Sequence, residues 1–431
     1  MESINTSNDI ALQEKYIHRF LIGILIYSIS GNFLFEFIPG QIVNVIQIIG
    51  LGTWAFYWTK LASLKNISDW YLRLTICLLI IWQLYIICHG FIFKYPFIKD
   101  HLSTDNRALA YLVPLAVFVS VNNTHFWQIL FNYLHKIGVV FLVLFPFSLL
   151  YLLSNQNVAE QYVWVLAMGS GFILLTSFYH SKKRFTVALV VMVLSLLFIT
   201  VMARRNIMVT CGCFLFFSLL AIPIINKNTS LIKKGIFLFS FVLFTVIGYS
   251  IFTSNQDGMF RGFTKRATDN TRETVFLFYF LDMSPTDFVI GKGINGTYFC
   301  PDMDQAWSGG SEPPEHRDLD DRIYIECGYL QLILNGGIIY LGLYLLILVP
   351  AMFKGFFLSR NLFSKSCAIL IFMHLIDMAP FGLPTFSLRQ FTLWFCVAVC
   401  FSKEIRKMDE DEMRSFLTPE KATKYESDTA D

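Results

Sequence analysis

Apolar residues fall along this chain in long runs broken by short polar connections, a pattern that predicts membrane helices. A crossing helix takes roughly 20 apolar residues, and on that ruler the chain offers about twelve candidate spans. They cover residues 19–38, 41–59, 70–93, 108–122, 127–153, 161–180, 184–203, 205–225, 231–253, 324–353, 365–383 and 388–402. Helices of a large soluble core would carry a polar stripe on one face, and most of these runs have none. The expected fold is an all-α polytopic membrane protein with one large outer loop before the tenth span. Residues 1–253 hold spans one to nine, 254–322 the loop, 323–402 spans ten to twelve, and 403–431 a charged tail. Residues 1–18 are polar, and the first apolar run has no small-residue cleavage site, so it reads as a retained span.

Basic residues in the short connections orient the spans. Alternate connections carry Lys60, Lys65 and Arg73; Lys182, Lys183 and Arg184; Lys227, Lys233 and Lys234; Lys354, Arg360 and Lys365. With Lys403, Arg406 and Lys407 after the last span, this parity places both termini in the cytoplasm. Lys94, Lys99 and Arg107 are a mild exception on the outer side. The long loop is exempt, because long loops translocate largely regardless of charge. Arg204 and Arg205, in a tight outer turn between two spans, are not exempt. They read either as functional cations at membrane depth or as anchors to outer headgroup phosphates.

The loop is the one long polar segment with spans on both sides. The apolar run Val275 to Leu281 predicts a surface helix that stops before Pro285. Gly291, Gly293 and Gly296 then follow with the Gly-x-Gly-x-x-Gly spacing, but without the strand and helix that a nucleotide fingerprint needs. Such a turn can still offer amide N–H groups to an anion. Farther on, His316, Asp318, Asp320 and Asp321 cluster beside Arg317 and Arg322. Their spacing matches no metal cage, so a solvated loop is the favoured reading and no metal is expected. Glu326 sits about one turn inside the tenth span. It reads equally as the helical i, i+4 partner of Arg322 and as a carboxylate poised as base or sugar ligand at the outer mouth.

Composition sharpens the membrane reading. The 431 residues are 55% hydrophobic and only 15% charged, against about 25% charged in an ordinary soluble protein. Net charge is +3, and nothing points to nucleic acid. The nine cysteines form no metal pattern and mostly lie in apolar runs. Cys300 and Cys327 flank the second half of the loop and are expected unpaired.

The segment from Glu326-Cys327-Gly328-Tyr329-Leu330 to Asn335-Gly336-Gly337, after a long loop with a Gly-x-Gly turn, resembles the bacterial O-antigen polymerase and O-antigen ligase superfamily. Arg204-Arg205 at the outer end of a mid-chain helix, and Arg272 shortly before the turn, resemble the arginines of that family. The resemblance covers the plan of the whole chain, with its specific part in residues 204–206 and 272–340. Many members carry His-Asn where Glu326-Cys327 stands, which leans the reading toward polymerase. It leaves two candidates for the base, Glu326 and His316.

The resemblance implies an inverting glycosyltransferase at the periplasmic face of the bacterial inner membrane. Its donor would be a glycan on undecaprenyl pyrophosphate and its acceptor a lipid-linked repeat unit, without cofactor and with a chain-length regulator protein as partner. Arg204 and Arg272 would act on the leaving pyrophosphate and Glu326 on the attacking hydroxyl. Arg205, Arg322, His316, Tyr324 and Tyr329 would bind substrate, and Tyr298, Phe299 and Trp307 offer further rings for stacking on sugars. A ligase delivering glycan to a lipid A core, and a lipid-linked sugar transporter, are the alternatives; a scaffold without chemistry leaves the arginine pair unexplained.

Overall fold

The computed structural model describes residues 2–32, 38–154, 156–201, 205–221, 271–300, 321–379 and 382–418. Among these the chain is almost entirely helical. The helices are α1 (Glu2–Asn32), α2 (Gly40–Leu61), α3 (Trp70–Cys88), α4 (Tyr95–Ser103), α5 (Thr124–Ser154), α6 (Gln156–Leu166), α7 (Met168–Leu175), α8 (Lys182–Val201) and α9 (Arg205–Phe216). After them come α10 (Thr271–Asp282) and α11 (Pro285–Ile290), then the ribbon β1 (Tyr298–Phe299) and β2 (Asp321–Arg322). The chain closes with α12 (Gly328–Phe357), α13 (Leu362–Asp377), α14 (Leu388–Phe401), α15 (Lys403–Lys407) and α16 (Glu410–Leu417).

Among the described residues, five helices are long and apolar enough to cross a membrane: 40–61, 70–88, 124–146, 182–200 and 328–357. Shorter apolar helices cover 108–118, 160–175, 206–219 and 388–401. The core is built from interlocked rings. Phe126 meets Phe395 edge-on at 4.7 Å, and Trp127 meets Phe363 at 4.9 Å. The outward faces are apolar as well, with Val45, Ile48, Ile81, Leu84 and Leu197 exposed. Helices that are apolar on every side suit a bilayer as surrounding solvent.

Several expected spans differ: 161–180 is divided among α6, α7 and a short 3-10 turn, 365–383 is helical only to Asp377, and two further differences bear on the site. Residues 108–122 hold a 3-10 helix, Ala108–Phe118, with Pro114 inside it. At about 2.0 Å of rise per residue its 11 residues reach roughly 22 Å, short of the hydrocarbon thickness. Pro114 lacks the amide donor an α-helix needs there, and the segment lies buried against α3 and α14. The tenth span starts four residues later than expected, at Gly328, because Tyr324 to Cys327 are not helical. The expected ninth span, 231–253, lies outside the described residues.

The bundle has two distinct ends. At one, the tail helices dock on the connections. Glu410 accepts from the Tyr179 hydroxyl (2.6 Å) and the Leu362 amide (2.6 Å), and Asn361 Nδ2 donates to the Ile405 carbonyl (2.7 Å). Asp69 caps α3 with one oxygen and takes Lys354 Nζ on the other at 2.5 Å, which ties α3 to α12. The opposite end carries α4, the start of α9, the α10–α11 segment, the ribbon and the α13–α14 connection.

At that opposite end α12 is broken. Gly337 has φ +69°, so α12 is two helices meeting at a kink. The break strands carbonyls that a membrane cannot hydrate. The glycine turn after α11 supplies the missing donors. Lys292 N donates to Leu334 O (2.7 Å) and Gly293 N to Asn335 O (2.9 Å). Ile294 N reaches Ile86 O and His89 O at the end of α3, both at 3.1 Å. Trp82 Nε1 takes Gly336 O at 2.7 Å. One turn therefore caps the C-termini of two helices, as C-terminal motifs do. Its amides are spent on carbonyls, so the expected offer of N–H groups to an anion does not hold: those of Gly291, Lys292, Gly293, Ile294 and Gly296 all have carbonyl acceptors.

The approach is too close for side chains. A Cβ on Gly337 would lie 2.0 Å from Val289 O, and one on Gly293 2.0 Å from His89 O. Gly337→Ala is expected to cost at least about 1–3 kcal/mol, the scale of a strained backbone position. Gly342→Ala, in the same helix with nothing within 4 Å, serves as control. Thermal unfolding of the purified proteins in detergent checks both; equal midpoints for the two variants would show that the turn does not hold the break.

Candidate functional site

The α10–α11 segment and the ribbon form a cap over the start of α12. Its small core is Val275, Tyr279, Tyr298, Cys300, Ile325 and Leu334. Tyr279 donates to Leu330 O (3.1 Å) and Tyr298 to Tyr324 O (3.1 Å), so two phenols pin the cap to the chain entering α12. Burial raises both phenol pKa values and keeps them neutral donors. Lys292 pairs with Asp282, closing α10 onto the glycine turn. Ser284 caps α11 in a capping box with Asp287, with Pro285 in the first turn, so α10 ends where the sequence places its stop.

Arg322 sits on the inner side of this cap. It pairs with Tyr298 across the ribbon and is only 4% exposed. Its Nε and Nη1 are buried and find no hydrogen-bond acceptor among the described residues. The expected helical pairing with Glu326 fails, because Asp321–Arg322 is a strand and the helix begins at Gly328. The intervening chain is held extended by Gln331, which accepts from Ile325 N (2.9 Å) and donates to Ile323 O (3.2 Å). Asn335 continues the chain of bonds to the Tyr111 hydroxyl at 2.9 Å.

A second arginine lies beneath the same segment. Arg107 pairs with Asp100 at 3.1 Å, both side chains 3% exposed, and covers the Tyr324 ring at 4.9 Å. The Tyr324 hydroxyl donates to Asn106 Oδ1 at 2.9 Å. Beside them His101 is buried against Phe91, with the Asn295 side chain beside its ring. Burial pushes its pKa down to about 4, with Arg107 adding to the fall and Asp100 and Asn295 opposing it.

A third arginine stands at the next helix ends. Arg389 Nη2 donates to Asp377 Oδ2 at 2.6 Å and its guanidinium covers the Trp164 ring at 4.2 Å. Thr210 Oγ1 donates to Asp377 Oδ1 at 3.0 Å, which joins α9 to α13. Gly328 N reaches Met378 O at 2.7 Å, and the Tyr329 hydroxyl reaches Leu375 O at 2.6 Å. The start of α12 therefore lies against the end of α13, and Glu326 stands two residues before that contact.

Of the sequence-predicted residues, Arg322, Tyr324, Glu326 and Tyr329 share this end of the bundle. Tyr324 and Tyr329 spend their hydroxyls on protein acceptors. Tyr298, expected to stack on sugars, is 1% exposed in the cap core, while Phe299 is exposed. Arg205 opens α9 and Arg272 lies in the first turn of α10, both at this end. Arg204, His316 and Trp307 lie outside the described residues. Cys300 and Cys327 are both free thiols. Sequence reasoning passed over Asp377, Arg389 and Asp100; ionisable residues within or beside apolar runs are the signal that finds them.

No family model, no curated protein and no solved structure matches this chain.

A buried guanidinium stays charged, and a buried charge without a partner costs several kcal/mol. Arg322→Met is therefore expected to stabilise the free protein, by about 1–4 kcal/mol on the scale of such replacements. A lower unfolding midpoint would show that Arg322 is structurally paired. His101 gives a pH signature. Its folded pKa is depressed, so the stability it contributes is present above the ordinary value of 6.5 and lost as pH falls toward 4. His101→Phe should flatten that part of the stability profile; an unchanged slope would exclude His101 as its source.

Proposed function

We propose that this chain is a polysaccharide polymerase of the bacterial inner membrane. It transfers a growing O-antigen or capsule glycan from undecaprenyl pyrophosphate to a lipid-linked repeat unit. In this reading about twelve spans cross the membrane, both termini are cytoplasmic, and the charged end beneath the cap faces the periplasm.

Buried Arg322, charged and with its Nε and Nη1 lacking an acceptor among the described residues, carries the reading. Such a group is stabilised by an anion that arrives from outside the fold, and a diphosphate matches the guanidinium fork. The acceptor hydroxyl attacks the anomeric carbon and the bond to the diphosphate oxygen breaks. The diphosphate departs with the electron pair, and Glu326 takes the hydroxyl proton. Arg322, with Arg204 and Arg272 in the roles the resemblance implies, stabilises the charge that grows on the leaving group. Arg205 opens α9 at this end and Tyr324 and Tyr329 lie there as well, in the substrate-binding roles the resemblance implies, and His316 is the second candidate for the base.

The kinked α12 invites the transporter reading, since carriers use broken helices whose freed carbonyls bind ions. Here those carbonyls are taken by the glycine turn and Trp82, which favours a fixed cap. Polymerase and ligase differ in acceptor. A deletion strain that keeps one repeat on its surface lipid fits a polymerase; loss of all attached glycan fits a ligase.

Purified protein in detergent with lipid-linked repeat should build a ladder of polymer. Arg322→Met is expected to fold at normal or higher stability and to lose about 10²–10³ in rate, the scale of removing one charge-stabilising donor. Arg322→Lys should recover part of it. A normal ladder from Arg322→Met would sink the assignment of Arg322, and a normal ladder from Glu326→Gln would move the base elsewhere.

A further inference from the structure

We propose that the outward face of α5 and α8 seats an anionic phospholipid, its phosphate held by Lys136, Lys183 and Arg184 and its acyl chains lying along the two helices. Both helices start at the end of the bundle where the tail docks. Asn122, just before α5, donates to Glu404, and Tyr179, just before α8, donates to Glu410. The two helices therefore run side by side in the same direction. Arg184 Nη2 donates to Asn132 Oδ1, and a Cβ on Gly138 of α5 would lie 3.6 Å from Val191 and 4.0 Å from Val187 of α8.

At about 100° per residue, Asn132, Lys136, Val139 and Val143 form one exposed stripe on α5. Lys183, Val190, Val193 and Leu197 form another on α8. With Gly138 set against Val187 and Val191, the two stripes turn to the same side of the pair. Each carries a lysine toward the tail end and is apolar beyond it, the order of a phospholipid from head to tail. From Lys136 to Ser154, and from Lys183 to Val201, each helix runs on for 18 residues. That is about 27 Å, close to the thickness of the hydrocarbon core, so the lysines stand at headgroup depth. Lys183 and Arg184 both lie within electrostatic reach of His135, the neighbour of Lys136, so the cations of the two helices share one level. Among the described residues Lys136, Lys182 and Lys183 form no ion pair, and Arg184 has the neutral Asn132 as its acceptor. A phosphodiester supplies the negative charge this group lacks, and basic groups between membrane helices take such headgroups. A soluble phosphate would have no use for the apolar stripes. This seat is independent of the transfer reaction.

The test uses the full chain purified in detergent, titrated with phosphatidylglycerol and, in parallel, with phosphatidylcholine of the same acyl chains. Bound lipid is counted by native mass spectrometry and stabilisation is read by thermal shift. Phosphatidylglycerol is expected to bind about thirtyfold more tightly than phosphatidylcholine, the scale of two cations near an anionic headgroup. Lys136→Gln combined with Lys183→Gln alters two exposed positions without ion pairs, so the fold should hold while the two lipids fall to equal affinity. Lys60→Gln combined with Lys65→Gln, exposed at the same end of the bundle, should leave the preference intact. Glycerol 1-phosphate, the headgroup chemistry without the tails, should fail to displace the lipid. Equal binding of the two lipids by the unaltered chain, a full preference in the Lys136/Lys183 variant, an equal loss in the Lys60/Lys65 variant, or displacement by glycerol 1-phosphate would each overturn the proposal.

Discussion

Everything at the capped end of this protein depends on satisfying the backbone where α12 breaks. Stranded carbonyls in a membrane interior each cost several kcal/mol, and the break at Gly337 leaves them on one helix while α3 ends beside them on another. Three consecutive amides of the glycine turn, helped by Trp82, meet both sets. The consequence is mechanical. The turn cannot leave without exposing two helix ends, so the α10–α11 segment and the ribbon are held over the start of α12.

Charge follows the same economy with one departure. Asp100 with Arg107, Asp377 with Arg389, Asp69 with Lys354 and Asp282 with Lys292 are all paired where burial makes a lone charge costly. Arg322 is as buried as any of these, and its Nε and Nη1 have no acceptor among the described residues. A buried polar group without a partner asks for an explanation, and a buried cation asks most. That contrast, within one chain and at one end of it, gives Arg322 its weight.

The tail end shows what the charged end is not. There Glu410, Asn361 and Asp69 all serve helix caps or ties between helices, and the buried Arg406, though its Nε has no partner among the described residues, donates to the Leu358 carbonyl through Nη1. The asymmetry between a tied end and a charged, capped end fits chemistry placed on one side of the bundle.

Sequence alone determined the class. Long apolar runs without polar stripes can only be helices in an apolar surround, because the period of side chains and the need to satisfy every amide leave no other choice. It also placed the stop of α10 before Pro285 and picked out Arg322 and Glu326, since Pro, Gly and charges carry local signals. It misjudged what depends on distant neighbours. The run at 108–122 reads as a span, but Pro114 and its packing make it a short buried 3-10 segment. Arg322 and Glu326 have helical spacing, yet Gln331 holds their segment extended from the far side. The glycine turn looks like an anion cradle until Leu334, Asn335 and Ile86 arrive as acceptors. Gln331 acts from only six to eight residues away, but the glycine turn and the 108–118 segment were decided by partners forty to more than two hundred residues off, and no local pattern encodes who will meet across the bundle.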